Sequence, residues 1–214
     1  MSKLISVNNS KLAKSGKNRG LKFVSFGLPA AQTCPGANKC LRGCYALSGS
    51  YLFRQVKESR HHNYLASLQD NFTSQIYTEL LNIDKKLTDT ILVVRIHDSG
   101  DFYSAEYLAK WIEVAAALPH VIFYAYTKSV HITKGVVLPD NFRLIYSLGG
   151  KYDTLVERDK MPHARVFESV EDLIDAGYTN ASDDDALAIF GGLKIGLVFH
   201  HAKNYNNTSW SEVA

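Results

Sequence analysis

Cys34-Pro-Gly-Ala-Asn-Lys-Cys40-Leu-Arg-Gly-Cys44 spells C-x5-C-x3-C, and these are the only cysteines among 214 residues. Soft thiolate ligands at close spacing select zinc or an iron–sulfur cluster. A disulfide framework fails on the odd count, and the cytosol expected for this chain keeps thiols reduced. A structural zinc site lacks a fourth ligand at customary spacing, although one of the eight histidines could supply it from elsewhere. Three cysteines on one loop suit a 4Fe-4S cubane whose fourth iron is left for a ligand other than cysteine. That open iron is where chemistry would happen.

Further candidates gather after the apolar run ILVVRI (91–96). His97, Asp98 and Asp101 follow it within five residues and could serve as ligand, base and orienting acid. A helix cap by Asp101 or Ser104 is the competing reading. Lys128 ends the aromatic run VIFYAY and could hold a carboxylate or phosphate, or act as an amine nucleophile if desolvated. His200-His201 ends another apolar run, and alternation on a strand would turn one ring toward the site. His61-His62 reads as helix surface. Asp183-Asp184-Asp185 reads as a solvated loop, with a helix cap or a cation site as alternatives.

Strands are expected at 21–30, 91–96, 121–126, 142–148, 164–169 and 194–200, from their β-branched and aromatic content. Leu65, Leu68, Phe72, Ile76 and Leu80 recur at helical spacing between 52 and 87, which predicts one long helix or two in tandem. A second helix carries Leu108, Trp111, Ile112 and Ala115 on one face, and a short one lies around 170–176. Apolar strands alternating with helices predict one α/β domain over 1–214 with a mainly parallel sheet. Six strands are too few for a closed eight-fold barrel, so an open or partial (β/α) barrel is expected, with a doubly wound sheet as the alternative. Either fold gathers function at the C-terminal strand ends, where the cysteine loop, His97 to Asp101, Lys128 and His201 lie.

The net charge of +3 hides an asymmetry. Residues 1–57 hold ten Lys/Arg and no carboxylate, whereas 58–214 hold fourteen basic and twenty-one acidic groups. The positive segment, including the basic stretch 1–20, either meets a polyanion such as nucleic acid or tunes an anionic thiolate site. An unspecific solvated surface is the plain alternative. The N-terminus lacks an apolar signal core and no run of eighteen apolar residues occurs, so a cytoplasmic protein without a membrane span is expected.

The segment TCPGANKCLRGCYALSGSY, with VVRIHDSGDFYSAEYLAKW, FYAYTKS and KIGLVFHH, resembles the phage-encoded gene product 88 family across nearly the whole chain. That resemblance implies a phage or prophage origin, hence the host cytoplasm, and an iron–sulfur site. It implies no particular reaction. The order of strand, three-cysteine loop, helix and further βα units also resembles radical S-adenosylmethionine enzymes, which combine a partial barrel with an open-iron cluster. Their loop is C-x3-C-x2-C with an aromatic before the last cysteine, whereas Gly43 stands there in this chain. Tyr45 follows the last cysteine instead, and Asp98-Ser99-Gly100-Asp101 loosely echoes their glycine-rich segment. This second resemblance implies S-adenosylmethionine as a candidate cofactor, with Tyr45, Gly100 and His201 among the groups around it.

Two functions follow as expectations. One is an enzyme acting on a small ligand at an open iron, by radical chemistry or by Lewis-acid activation of water or a carbonyl. The other is a protein in which a cluster or zinc is a staple and the basic N-terminus meets nucleic acid or a host partner. The chain carries no recognisable nucleic-acid motif and no aromatics interleaved with its basic residues.

Overall fold

Each apolar run of the sequence becomes a strand, and the first five strands associate edge to edge in chain order because right-handed crossovers return the chain beside its last strand. The computed structural model describes residues 3–199. β1 (Leu21–Phe26), β2 (Ile91–Ile96), β3 (Ile122–Thr127), β4 (Phe142–Ser147), β5 (His163–Phe167), β6 (Thr179–Asn180) and β7 (Lys194–Val198) form one sheet. Its order is β1-β2-β3-β4-β5-β7-β6, every pairing is parallel, and it curves as a half-barrel. The two-residue β6 is too short to leave a periodic signal, so the sequence showed six strands where the described residues form seven. Beside β1, Ser6 exchanges both backbone hydrogen bonds with Ser25, at 2.8 and 2.9 Å, which covers the sheet edge.

One face of the sheet carries Val24, Phe26, Leu92, Val94, Ile96 and Phe123. On it pack α3 (Phe72–Asp84) and α4 (Ala105–Ala117), through Phe72, Ile76, Leu80, Leu108, Trp111 and Val114, all buried. Of the one or two helices expected over 52–87, two form in tandem: α2 (Arg54–Ser67) ends, and a break at 68–71 precedes α3. That break shifts the helical phase. Leu65 and Leu68 therefore stand exposed, and α2 buries the polar Asn63 and Ser67 instead. Asn63 donates to the carbonyls of Leu4 and Gly27, tying α2 to the end of β1. α5 (Val130–Thr133) and α6 (Val170–Asp175) follow β3 and β5.

The opposite face carries Phe23, Val93, Tyr124, Ile145, Ala164 and Ile195. Two short helices close its lower part: α1 (Ser10–Gly16) through Leu12, and α7 (Asp185–Phe190) through Ala186, Ala188 and Ile189. Arg143 holds the last turn of α7 by donating to the carbonyls of Ile189, Gly191 and Gly192. Above these helices the next inward residues of the strands remain uncovered. Among the described residues no helix is long and apolar enough to cross a membrane.

Candidate functional site

Side chains alternate across a strand, so the residues that continue the second face are Ser25, Arg95, Tyr126, Ser147, Val166 and Leu197. All but Ser25 line a cavity of about 740 Å³ at the C-terminal strand ends. Cys34, Cys40 and Cys44 line it too, with Tyr45, Tyr51, Arg60, His97, Asp98, Gly100, Asp101 and Lys128. His201 lies outside the described residues.

The cysteine loop is pinned by its backbone. Gly36 lies against the end of β3, where an added Cβ would overlap the Lys128 carbonyl and come within 2.9 Å of the Ser129 nitrogen. Its own carbonyl accepts from Lys151 N–H at 2.9 Å. The second anchor is the 97–101 loop: Asp101 N–H donates to the Thr33 carbonyl at 3.1 Å, and Leu28 N–H to the Ser99 carbonyl at 2.8 Å. Gly100 has φ +83, and a Cβ there would meet Leu28 Cβ and Thr33 Oγ1 at 2.6 Å, so glycine serves both conformation and contact. After Cys44, the Tyr45 hydroxyl donates to the Asp98 carbonyl at 2.6 Å, and Tyr51 donates to the same oxygen at 3.4 Å. Tyr45 is 51% exposed as a residue, yet burial of its hydroxyl pushes the phenol up to about 12.

Burial pushes the Cys34 thiol up to about 12, with smaller contributions from Asp101 and from Cys44 and Cys40. Cys44 is likewise raised by burial. The three thiols thus sense one another across a shared wall. Among the described residues no three His, Cys, Asp or Glu side chains converge on a point that could hold a single ion. Lys128 stands beside the thiols, donating to Ser147 O at 3.0 Å, Ser147 Oγ at 2.9 Å and Leu148 O at 2.6 Å. All three acceptors are neutral. Burial lowers its pKa, opposed by Cys40, Asp153, Asp101 and Cys34 in that order.

His97 has φ +70, and its ring packs edge-on against Phe102 at 4.6 Å, with Nε2 2.9 Å from the Tyr107 hydroxyl. Burial lowers its pKa to about 3, so the imidazole is neutral, and Nδ1 is buried without a partner among the described residues. Asp98 is 5% exposed and paired with Arg60 through Oδ2 at 2.6 Å, with Ser25 Oγ at 3.3 Å. Burial pushes its carboxyl up, against the pull of Arg60 and Arg95. Gly27 makes room for this pair, since a Cβ would overlap Asp98 Oδ1 and reach Arg60 Nε at 2.6 Å. Asp101 accepts from Phe102 N–H, Thr127 Oγ1 and Lys128 N–H, each at 2.7 Å. Burial raises its pKa. It knits β2 to β3 and leaves the cap of α4 to Ser104, which accepts from Tyr107 N–H at 3.2 Å.

Sequence reasoning passed over Arg60, Arg95, Tyr51, Tyr126 and Gly36. Arg95 had a signal, being a charge inside the apolar run ILVVRI. Arg60 had none, because its partner lies 38 residues away. The triple aspartate is not a solvated loop. Asp184 caps α7 and pairs with Arg19 at 2.6 Å, while Asp185 is buried against Arg95 Nη1 at 2.8 Å, and Asp183 alone stays exposed. Lys11 also faces Asp185, at 4.0 Å, so part of the positive N-terminal segment is neutralised within the fold.

Among known proteins no solved structure matches this chain, and the relatives are found by sequence. The Gene 88 proteins of Mycobacterium phages D29 and L5 are each 34% identical to this chain over 114 residues, covering 49% of it and 47% of the relative. The chain thus spans about half the length of the curated relatives it matches. The family model described as Gene product 88 matches residues 3–200, taking in the cysteine loop and every strand of the sheet. The chain belongs to the gene product 88 family.

Proposed function

We propose that this phage-type protein, acting in the host cytoplasm, holds a 4Fe-4S cluster on Cys34, Cys40 and Cys44 and uses its fourth iron on a small ligand bound in the cavity. The observation that carries the reading is Lys128. Its ammonium is withdrawn from water onto neutral acceptors, with no carboxylate of the described residues within ion-pair distance, and Cys40 acts on it ahead of Asp153, Asp101 and Cys34. A buried cation so placed is costly unless an anion sits nearby. Three thiolates with a cluster supply that anion, and their deprotonation is favoured by the same ammonium. The donor set fits: three soft ligands share one wall of a cavity with room beyond them.

When bound, the cluster would supply an electrophilic iron or a source of single electrons. The chain's own residues do the rest. Gly36 and the Tyr45–Asp98 contact hold the cysteine loop, Lys128 balances its charge, and the Arg60–Asp98 pair forms the adjacent wall. S-adenosylmethionine is one ligand of the size and polarity the cavity accepts. Cys34→Ala, Cys40→Ala and Cys44→Ala are each expected to lose the cluster while keeping secondary structure. A variant that retains full iron and sulfide would remove that cysteine from the ligand set.

A further inference from the structure

We infer that Arg95 anchors an oxyanion, a carboxylate or a phosphate, carried by the small ligand of the cavity; this rests on the reading of that cavity as a ligand site. Arg95 projects from the same face of β2 as Val93, into the half-barrel, and its side chain is 15% exposed. A guanidinium placed so deep needs its donors satisfied. Among the described residues only Nη1 has a protein acceptor, Asp185 Oδ2 at 2.8 Å. Nε is buried and has none among them. The Tyr126 ring lies 5.4 Å from the guanidinium carbon and offers a face, not an acceptor for that edge.

Asp185 does not cancel the charge of this group. Its Oδ2 also accepts from the Tyr124 hydroxyl at 2.5 Å, and its Oδ1 faces Lys11 Nζ at 4.0 Å. One carboxylate is therefore shared by two cations, so Asp185 neutralises Arg95 only in part. Asp183 lies at the exposed rim and acts on Lys11. A guanidinium fork with an unused Nε matches the two oxygens of a carboxylate or phosphate. The same cavity carries the cysteines on another wall, so a ligand held by its anionic end at Arg95 would present its remaining part to them.

The test is calorimetric titration of the full chain, with iron and sulfide measured on the same sample, using succinate, inorganic phosphate and the neutral succinamide as probes. One of the two anions should bind at least about tenfold more tightly than succinamide. Which anion binds identifies the group. Arg95→Lys keeps the charge opposite Asp185 but loses the fork, and should weaken that anion about tenfold with unchanged iron and sulfide. Equal affinity for all three probes, or undiminished affinity in Arg95→Lys, overturns the assignment. Should the variant not fold, crystals of the unaltered protein grown with each anion decide it. An anion within hydrogen-bond reach of Arg95 Nε supports the assignment, and an anion elsewhere or absent refutes it. Missing iron and sulfide would register separately, as failure of the cluster reading.

Discussion

Gly36→Ala is expected to disconnect the cysteine loop from the sheet while leaving the sheet itself intact. The added methyl would overlap the Lys128 carbonyl and press within 2.9 Å of the Ser129 nitrogen, both backbone atoms that cannot turn aside. Restoring van der Waals separation means moving the loop by roughly an ångström. That displacement stretches the Lys151 N–H to Gly36 carbonyl bond of 2.9 Å and carries Cys34, two residues away, with it. Overpacking of this kind costs about 1–3 kcal/mol, and loss of the hydrogen bond adds about 1 kcal/mol. For a chain of this length that is a fall in Tm of about 4–16 °C. The assays are a thermal melt followed by circular dichroism and an iron determination after anaerobic purification. The expected result is the lower Tm, an unchanged far-ultraviolet spectrum and iron reduced several-fold. A Gly36→Ala protein with parental Tm and full iron would show that the loop does not depend on its seat beside β3.

Other perturbations test the walls of the cavity. The His97 pKa is lowered from 6.5 to about 3, so the folded state resists protonation that the unfolded state accepts, and stability should fall as pH drops through that window by at most about 5 kcal/mol. His97→Asn, which tolerates the positive φ, should flatten that acid limb relative to the parent in urea melts at pH 3.5 to 7; parallel limbs would contradict the burial of the ring. Arg60→Met should cost about 3–5 kcal/mol by stranding the buried Asp98 carboxylate, and adding Asp98→Asn should recover most of it. A single variant as stable as the parent would mean that the pair is open to water.

The parallel sheet was legible because its strands are apolar on both faces, and a run such as ILVVRI has no other economical home. The C-terminal edge as the location of the site followed from topology alone, which is why residues as distant in sequence as Cys34, Asp98 and Lys128 could be expected together. Orientation was not legible. Nothing in His97-Asp98-Ser99-Gly100-Asp101 told that the imidazole would turn into an aromatic wall, or that Asp101 would bridge β2 to β3. Those outcomes depend on Phe102, Tyr107 and Thr127, whose roles appear only in three dimensions. Likewise the three aspartates resemble wet surface until Arg19, Lys11 and Arg95 arrive from elements more than 85 residues away. The hydrophobic pattern also continued smoothly through 65–72, although the chain breaks there and starts a new helix.

Whether three cysteines hold a four-iron cluster is read from iron and acid-labile sulfide per chain in protein made and purified without oxygen. A brown protein with about four irons and four sulfides per chain is predicted, as a cubane requires. A well-folded, colourless protein holding one zinc and no sulfide would contradict it.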